Sequence, residues 1–394
     1  MNIHEQRFLA VLKSALQNAA IQLNDLSGDD WAQLLQLAQS HQVLPLFCQS
    51  LSPAPACVAD LKSVLRRQVA QQAMRTHAFF AIYPQLLEAG VRPLVVKGIT
   101  CRALYPQPDL RPSSDEDLLI APEQFDATRQ LLISLGFQES GTGLELTFRH
   151  PISGLRLEIH GAAFPGQELA YGHWNTLFEV IFDRAINLTI CENTVWTPCH
   201  DDHMLYLILH ALKHFLHSGV GIRQVCDICL YANAYGNLID WTNLLDRCRL
   251  LHAEQFAAAL LQIGSTYLTF DPDIACLPSC WRSITVDIQS LLRDILSAGL
   301  YGDATIDRKR SSNLTLDAAS GKKPSLSRTL FPNRSRLLAQ YPYLQRQPYL
   351  LPVAWTQRLW RYARALKDNR ATPSESVRIG SERIALLHQY GLIE

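Results

Sequence analysis

The sequence has no excess of charge of either sign: Lys and Arg total 36, Asp and Glu total 36, and the formal net charge is zero. That balance excludes a protein that coats nucleic acid with its whole surface, although it leaves room for a local basic patch. Long nucleic acid is therefore not an expected partner. The chain also lacks a long apolar run. No window of about 18 uncharged apolar residues occurs, so no membrane-spanning helix is expected. The opening stretch MNIHEQRFLAVLKSALQNAA carries Glu5, Arg7 and Lys13 among its apolar residues, which does not fit a secretory signal. Ten cysteines are scattered without such a signal, which speaks against a disulfide framework and for reduced thiols in a cytoplasm. The close pairs Cys226/Cys229 and Cys276/Cys280 raise the question of zinc. The first lies in the apolar helical run RQVCDICLYANAY, where cysteines three apart share a face and read as small core residues. There is no internal repeat.

What is present is an ordinary globular composition, 48% apolar over 394 residues, long enough for two or three domains. Residues 1–88 read as an N-terminal helical region, with Asp29 or Asp30 as an N-cap. Residues 89–200 read as an α/β core. VRPLVV is a short strand ending at Lys97-Gly98, GITCRALY a short helix, and PQPDLRPSS a loop that delivers the chain to SSDEDLLI. APEQFDATRQLLISLGF is an amphipathic helix closed near Gly136, LELTFRH and LRLEIH form a hairpin around PISG, and INLTI with TVWTP make a further strand pair. Residues 201–302 read as a helical domain, 303–330 as a polar loop or active-site flap, and 331–394 as a C-terminal helical segment. The fold class is thus α+β, a small mixed sheet flanked by N-terminal and larger C-terminal helical regions.

Within SSDEDLLI, three acids run straight into an apolar strand, and a carboxylate held near a core needs a partner or a cation. Strand periodicity puts Asp115 and Asp117 on one face and Glu116 on the other. Two adjacent carboxylates repel unless a cation sits between them, and oxygen ligation of this kind suits Mg²⁺ or Mn²⁺. Glu158, in the alternating strand LRLEIH, shares a face with Arg156 and His160. If that strand lies beside the first, three carboxylates converge as two-metal phosphoryl or nucleotidyl transfer requires.

These residues also carry a resemblance. Lys97-Gly98, Leu104-Tyr105-Pro106, Arg111, Asp115-Glu116-Asp117-Leu118-Leu119-Ile120 and Glu158-Ile159-His160 follow the pattern of bacterial nucleotidyltransferase-like proteins of the DNA polymerase β superfamily. Segments on either side, LLQLAQSHQVLPLF, HALKH with DICLYANAYGNLIDW, and TLFPNRSRLLAQYPYL, resemble that family too. The resemblance implies a nucleotidyltransferase core, with Asp115, Asp117 and Glu158 as metal ligands and catalytic acids. It implies that Lys97, Gly98, Arg111 and His160 contact the substrate. The chain departs from the pattern at Glu116, usually apolar, at Ile99, often Ser, and at Glu158, commonly Asp.

A second constellation lies in DDHMLYLILHALKHFLH, where His203, His210, His214 and His217 share one helical face. Three readings stand: a polar seam between domains, a phosphate- or acceptor-binding wall in which His210 and His214 contact substrate, or a metal site. Asp227 is a candidate to orient one imidazole. The leading functional expectation is a metal-dependent nucleotidyltransferase moving NMP from an NTP to an acceptor, which is a small molecule, a peptide or a sugar phosphate. A glycosyl or sugar-phosphate transferase using a nucleotide-sugar on the same site, and a non-catalytic nucleotide- or peptide-binding partner protein, are the alternatives.

Overall fold

A computed structural model describes residues 1–142, 145–217, 219–299, 306–322, 331, 334–338, 340–367 and 373–393. The chain opens with five helices, α1 (Ile3–Leu16), α2 (Gly28–Ser40), α3 (Leu44–Gln49), α4 (Ala56–Asp60) and α5 (Lys62–Glu88). The start of α2 differs from the sequence reading. Ser27 is the N-cap, and Asp30 completes a capping box from inside the first turn.

Strand β1 (Leu94–Val95) then leads through the Lys97-Gly98 turn into α6 (Ile99–Arg102). The acidic strand is β2 (Glu116–Leu119), followed by α7 (Phe125–Ser134), β3 (Gln138–Thr142), β4 (Glu145–Arg149), β5 (Arg156–His160), β6 (Ile186–Ile190) and β7 (Asn193–Thr197). One mixed sheet results, in the order β3-β4-β5-β2-β1-β7-β6. Its centre decides the site: β2 runs antiparallel to β1 and parallel to β5. The β4–β5 hairpin and the β6–β7 pair form as read from the alternation. Strand β3, whose sequence QESGT carries no apolar alternation, is extra.

Beyond the sheet come α8 (His200–His217), α9 (Ile222–Tyr235), α10 (Trp241–Leu250), α11 (Glu254–Tyr267), α12 (Ser279–Arg282), α13 (Ile288–Ala298) and α14 (Ile306–Ala319). Of the polar stretch 303–330, read as a loop or flap, residues 306–319 are therefore helical. Residues 303–305 and 323–330 lie outside the described residues. Among the described residues three further helices, Arg334–Leu337, Leu351–Lys367 and Pro373–Gln389, follow. No helix among the described residues is long and apolar enough to cross a membrane.

Two apolar cores sandwich the sheet. On one face Leu118, Ile120, Leu157, Ile159 and Val195 meet Phe79, Tyr83 and Leu86 of α5 and Leu132 of α7. On the other, Leu94, Val96 and Leu119 join a larger core with Leu205, Leu209 and Leu212 of α8. That larger core runs on from Phe8 and Phe47 of the N-terminal helices to Leu260, Leu296 and Leu387 near the C-terminus. Alternation along β2 thus sends Glu116 and Leu118 toward α5, and Asp117 and Leu119 toward α8. Cys226 and Cys229 are buried free thiols of this core, as their helical spacing indicates.

Candidate active site

Between the sheet and the helices lies a cavity of about 320 Å³, lined from the sheet side by Lys97, Gly98, Asp115, Asp117, Glu158 and His160. Register brings the acids together. Asp117 pairs directly with Glu158 across the parallel β2–β5 ladder, and Leu119 pairs with His160. Same-face neighbours on adjacent strands stand within reach of each other's side chains. Asp117, Glu158 and His160 each offer one ligand atom, and these three atoms lie within 4.8 Å of one another. Asp115 lines the same cavity beside Glu158, and His160 joins the three acids expected from the sequence.

Asp117 is the most enclosed acid of the three, at 2% exposure. Its Oδ1 accepts from Lys97 Nζ at 3.0 Å and faces His160 Nε2 at 3.2 Å, while its Oδ2 is buried without a hydrogen-bond partner. Burial alone would raise its pKa, but the Lys97 ammonium and His160 hold it below the usual carboxylate range. Glu158 behaves oppositely. Burial, reinforced by the Asp117 and Asp115 carboxylates, pushes it up to about 8. Lys97 and His160 thus compensate Asp117 Oδ1, while Asp117 Oδ2 and the Glu158 carboxyl are left without a cationic partner of their own among the described residues.

The glycine turn is fixed from the rear of β2. Gly98 has φ 64° and ψ −113°, and an added Cβ would overlap Glu116 Oε2. Only glycine fits both demands. Glu116 itself accepts from Ile99 N at 2.6 Å and from Arg102 Nη2 at 2.7 Å. The acid left without a role by the sequence is the clamp of this turn.

The helical wall is cationic. Lys97 Nζ approaches His210 Nε2 at 3.1 Å, and His214 Nε2 stands 3.1 Å from the same nitrogen. Burial first, then Lys97 and His214, pushes His210 well below the usual imidazole range, and burial with Lys213 does the same for His214. The cations of the helical wall are Lys213 and Arg223, and Lys97 faces them from the sheet side. The histidine face divides: His203 is buried against Thr197 and Tyr231, and His217 bonds Tyr171. Only His210 and His214 of the four line the cavity.

Arg111 also lines it, buried and held by a bidentate pair with Asp227, Nε to Oδ1 at 2.7 Å and Nη2 to Oδ2 at 2.5 Å. Tyr105 donates to the same carboxylate at 2.8 Å. Asp227 therefore orients Arg111, not an imidazole as read from sequence. Arg111 Nη1 is buried without a hydrogen-bond partner. Sequence reasoning missed Lys213, Arg223 and Gln42. Lys213 adjoins His214 in a stretch already singled out, whereas Arg223 and Gln42 reach the cavity through tertiary packing that no local pattern announces.

A solved structure, an antigenic nucleotidyltransferase-like protein from Paracoccidioides brasiliensis, is similar to 51% of this chain over 95% of its own, at 14% identity and a TM-score of 0.32. No curated protein matches the sequence. A family model described as an uncharacterised nucleotidyltransferase matches residues 27–268, which span α2 to α11 and contain every residue of the site. The chain belongs to this family of uncharacterised nucleotidyltransferases.

Proposed function

We propose that the cavity performs divalent-cation-dependent nucleotidyl transfer. A hydroxyl or phosphate oxygen of the acceptor attacks the α-phosphorus of an NTP, the new O–P bond forms as the bond to the leaving oxygen breaks, and NMP-acceptor and pyrophosphate result. The observation that carries this reading is the direct pairing of Asp117 with Glu158 on the floor of a cavity whose opposite wall is cationic.

Asp117, Glu158 and His160, with Asp115 beside them, are the residues to hold Mg²⁺ or Mn²⁺, and the unpartnered Asp117 Oδ2 fits that role. Such a cation, when bound, neutralises phosphate charge and stabilises the negative charge of the leaving group. The chain supplies the remainder. Lys213 and Arg223 draw the triphosphate to the helical wall, and Lys97 bridges that wall to Asp117. Arg111, fixed by Asp227, offers Nη1 to a phosphate oxygen. Gly98 lets the backbone approach the phosphates. Glu158, in its ionised form, orients the attacking group and takes its proton.

A thermal-shift titration with each NTP and several nucleotide-sugars, with and without Mg²⁺, tests this on wild type and Asp117→Asn. A Mg²⁺-dependent shift with an NTP that disappears in the variant supports the proposal. A shift confined to nucleotide-sugars transfers the site to a glycosyl or sugar-phosphate transferase, and no shift with any of them leaves a non-catalytic binding protein.

A further inference from the structure

The neutral total conceals a strongly biased segment. From Phe331 to Lys367 the sequence holds seven Lys and Arg residues and no Asp or Glu. The same stretch carries seven aromatic residues. Its described part folds on a small core of its own, in which Leu337, Tyr341 and Leu344 bury Ala354 of the helix Leu351–Lys367, with Trp355 packed against them.

The opposite side of that helix is open. Trp360 is 63% exposed with Arg364 exposed one turn beyond it, and Arg361, seven residues after Ala354, is exposed at the edge of the core side. The Arg364 guanidinium stands 5.6 Å from the Trp360 ring centroid, and the Arg361 guanidinium 5.4 Å from that of Tyr341. Among the described residues no carboxylate pairs with either arginine. Tyr349, 73% exposed, adds a second outward ring near the start of the helix.

We propose that this face binds single-stranded RNA through phosphate contacts from Arg361 and Arg364 and base stacking on Trp360. Three features favour that ligand. Guanidinium groups without a carboxylate partner among the described residues keep their charge available for phosphates. An exposed indole among them is a stacking platform for an unpaired base, and a paired base cannot present its face. A lipid surface needs a continuous apolar side turned outward, but here Ala354 faces the small core and the outward side interrupts Val353 and Trp360 with Thr356, Gln357 and Arg364. An acidic peptide would engage the arginines and leave the indole face without a planar partner.

The proposal does not rest on the metal site, so its assay contains no divalent cation or nucleotide. Fluorescence anisotropy of a labelled single-stranded RNA 20-mer is followed with the full chain at increasing salt. Wild type is expected to bind in the micromolar range at low salt. Arg361→Glu with Arg364→Glu should weaken binding at least tenfold and flatten the slope of log affinity against log salt by about 1.4. Trp360→Ala should weaken it about fivefold or more, and a duplex of equal length should bind less well than the single strand. Equal melting temperatures would show that these exposed substitutions leave the fold intact. Absence of RNA binding, RNA binding unchanged in the arginine variant, or binding to phosphatidylserine vesicles in place of RNA would overturn the proposal.

Discussion

Glu116 and Arg102 form a buried ion pair, Oε1 to Nη2 at 2.7 Å, with both side chains at 2% exposure or less. The pair lies behind the Lys97-Gly98 turn and not in the cavity. Its second oxygen caps the start of α6 through Ile99 N. The relation gives a stability role to an acid that the motif treats as an anomaly.

Removing one partner of such a pair leaves an uncompensated buried charge, at a cost of about 3–5 kcal/mol. Glu116→Gln is therefore expected to lower unfolding free energy by about 3 kcal/mol in urea titration. Replacing both partners, Glu116→Leu with Arg102→Met, should restore most of that loss, because no charge is then stranded. A double variant as unstable as the single one would show that the pair acts through geometry alone.

Gly98→Ala meets two penalties, a positive φ and overlap with the Glu116 carboxylate. We expect a loss of about 2 kcal/mol or more in stability and a larger loss in nucleotide affinity. Unchanged affinity in a folded Gly98→Ala protein would remove the turn from the phosphate site.

The Arg111–Asp227 pair tests the cationic wall. Arg111→Lys keeps the charge but loses the bidentate grip on Asp227, so it is not conservative here. Nucleotide affinity measured by calorimetry should fall by roughly tenfold in Arg111→Lys and comparably in Asp227→Asn. Wild-type affinity in both would confine the pair to folding.

His41 sets an acid limit on stability. It is buried, with Nε2 facing Leu296 O and Nδ1 accepting from Ile222 N, each at 3.3 Å, so the neutral ring serves both partners. Burial pushes its pKa from 6.5 down to about 4. Between those values the unfolded chain binds a proton that the folded chain excludes. The contribution is therefore complete above pH 6.5 and lost as pH falls toward 4, by about 3 kcal/mol. His203, pushed by burial to about 3, acts in the same direction. Urea midpoints between pH 7 and 4 should fall less steeply in His41→Gln than in wild type.

The carboxylate floor was legible because it depends on period-two alternation: Asp117 and Glu158 had to share faces with their apolar neighbours, and adjacency of their strands did the rest. The helices flanking the sheet followed from apolar periodicity in the same way. Glu116 was not legible, since its partner Arg102 sits across a turn whose path only the fold defines. Nor was the Arg111–Asp227 pair, whose members are distant in sequence and meet through packing of α9. Strand β3 lacks an apolar face and forms because β4 offers it an edge. Helix α14 has a polar sequence, yet Leu314, Thr315, Leu316 and Asp317 are buried within the fold. Tertiary contact overrides local preference there.

Asp117 and Glu158 are proposed to hold a divalent cation. Mn²⁺ binding read from the loss of the free-ion electron paramagnetic resonance signal, in the presence of a non-hydrolysable NTP analogue, tests it directly. The expected result is saturable binding to wild type, weakened at least tenfold in Asp117→Asn and in Glu158→Gln while both variants keep their fold. Equal Mn²⁺ affinity in all three proteins would contradict the account.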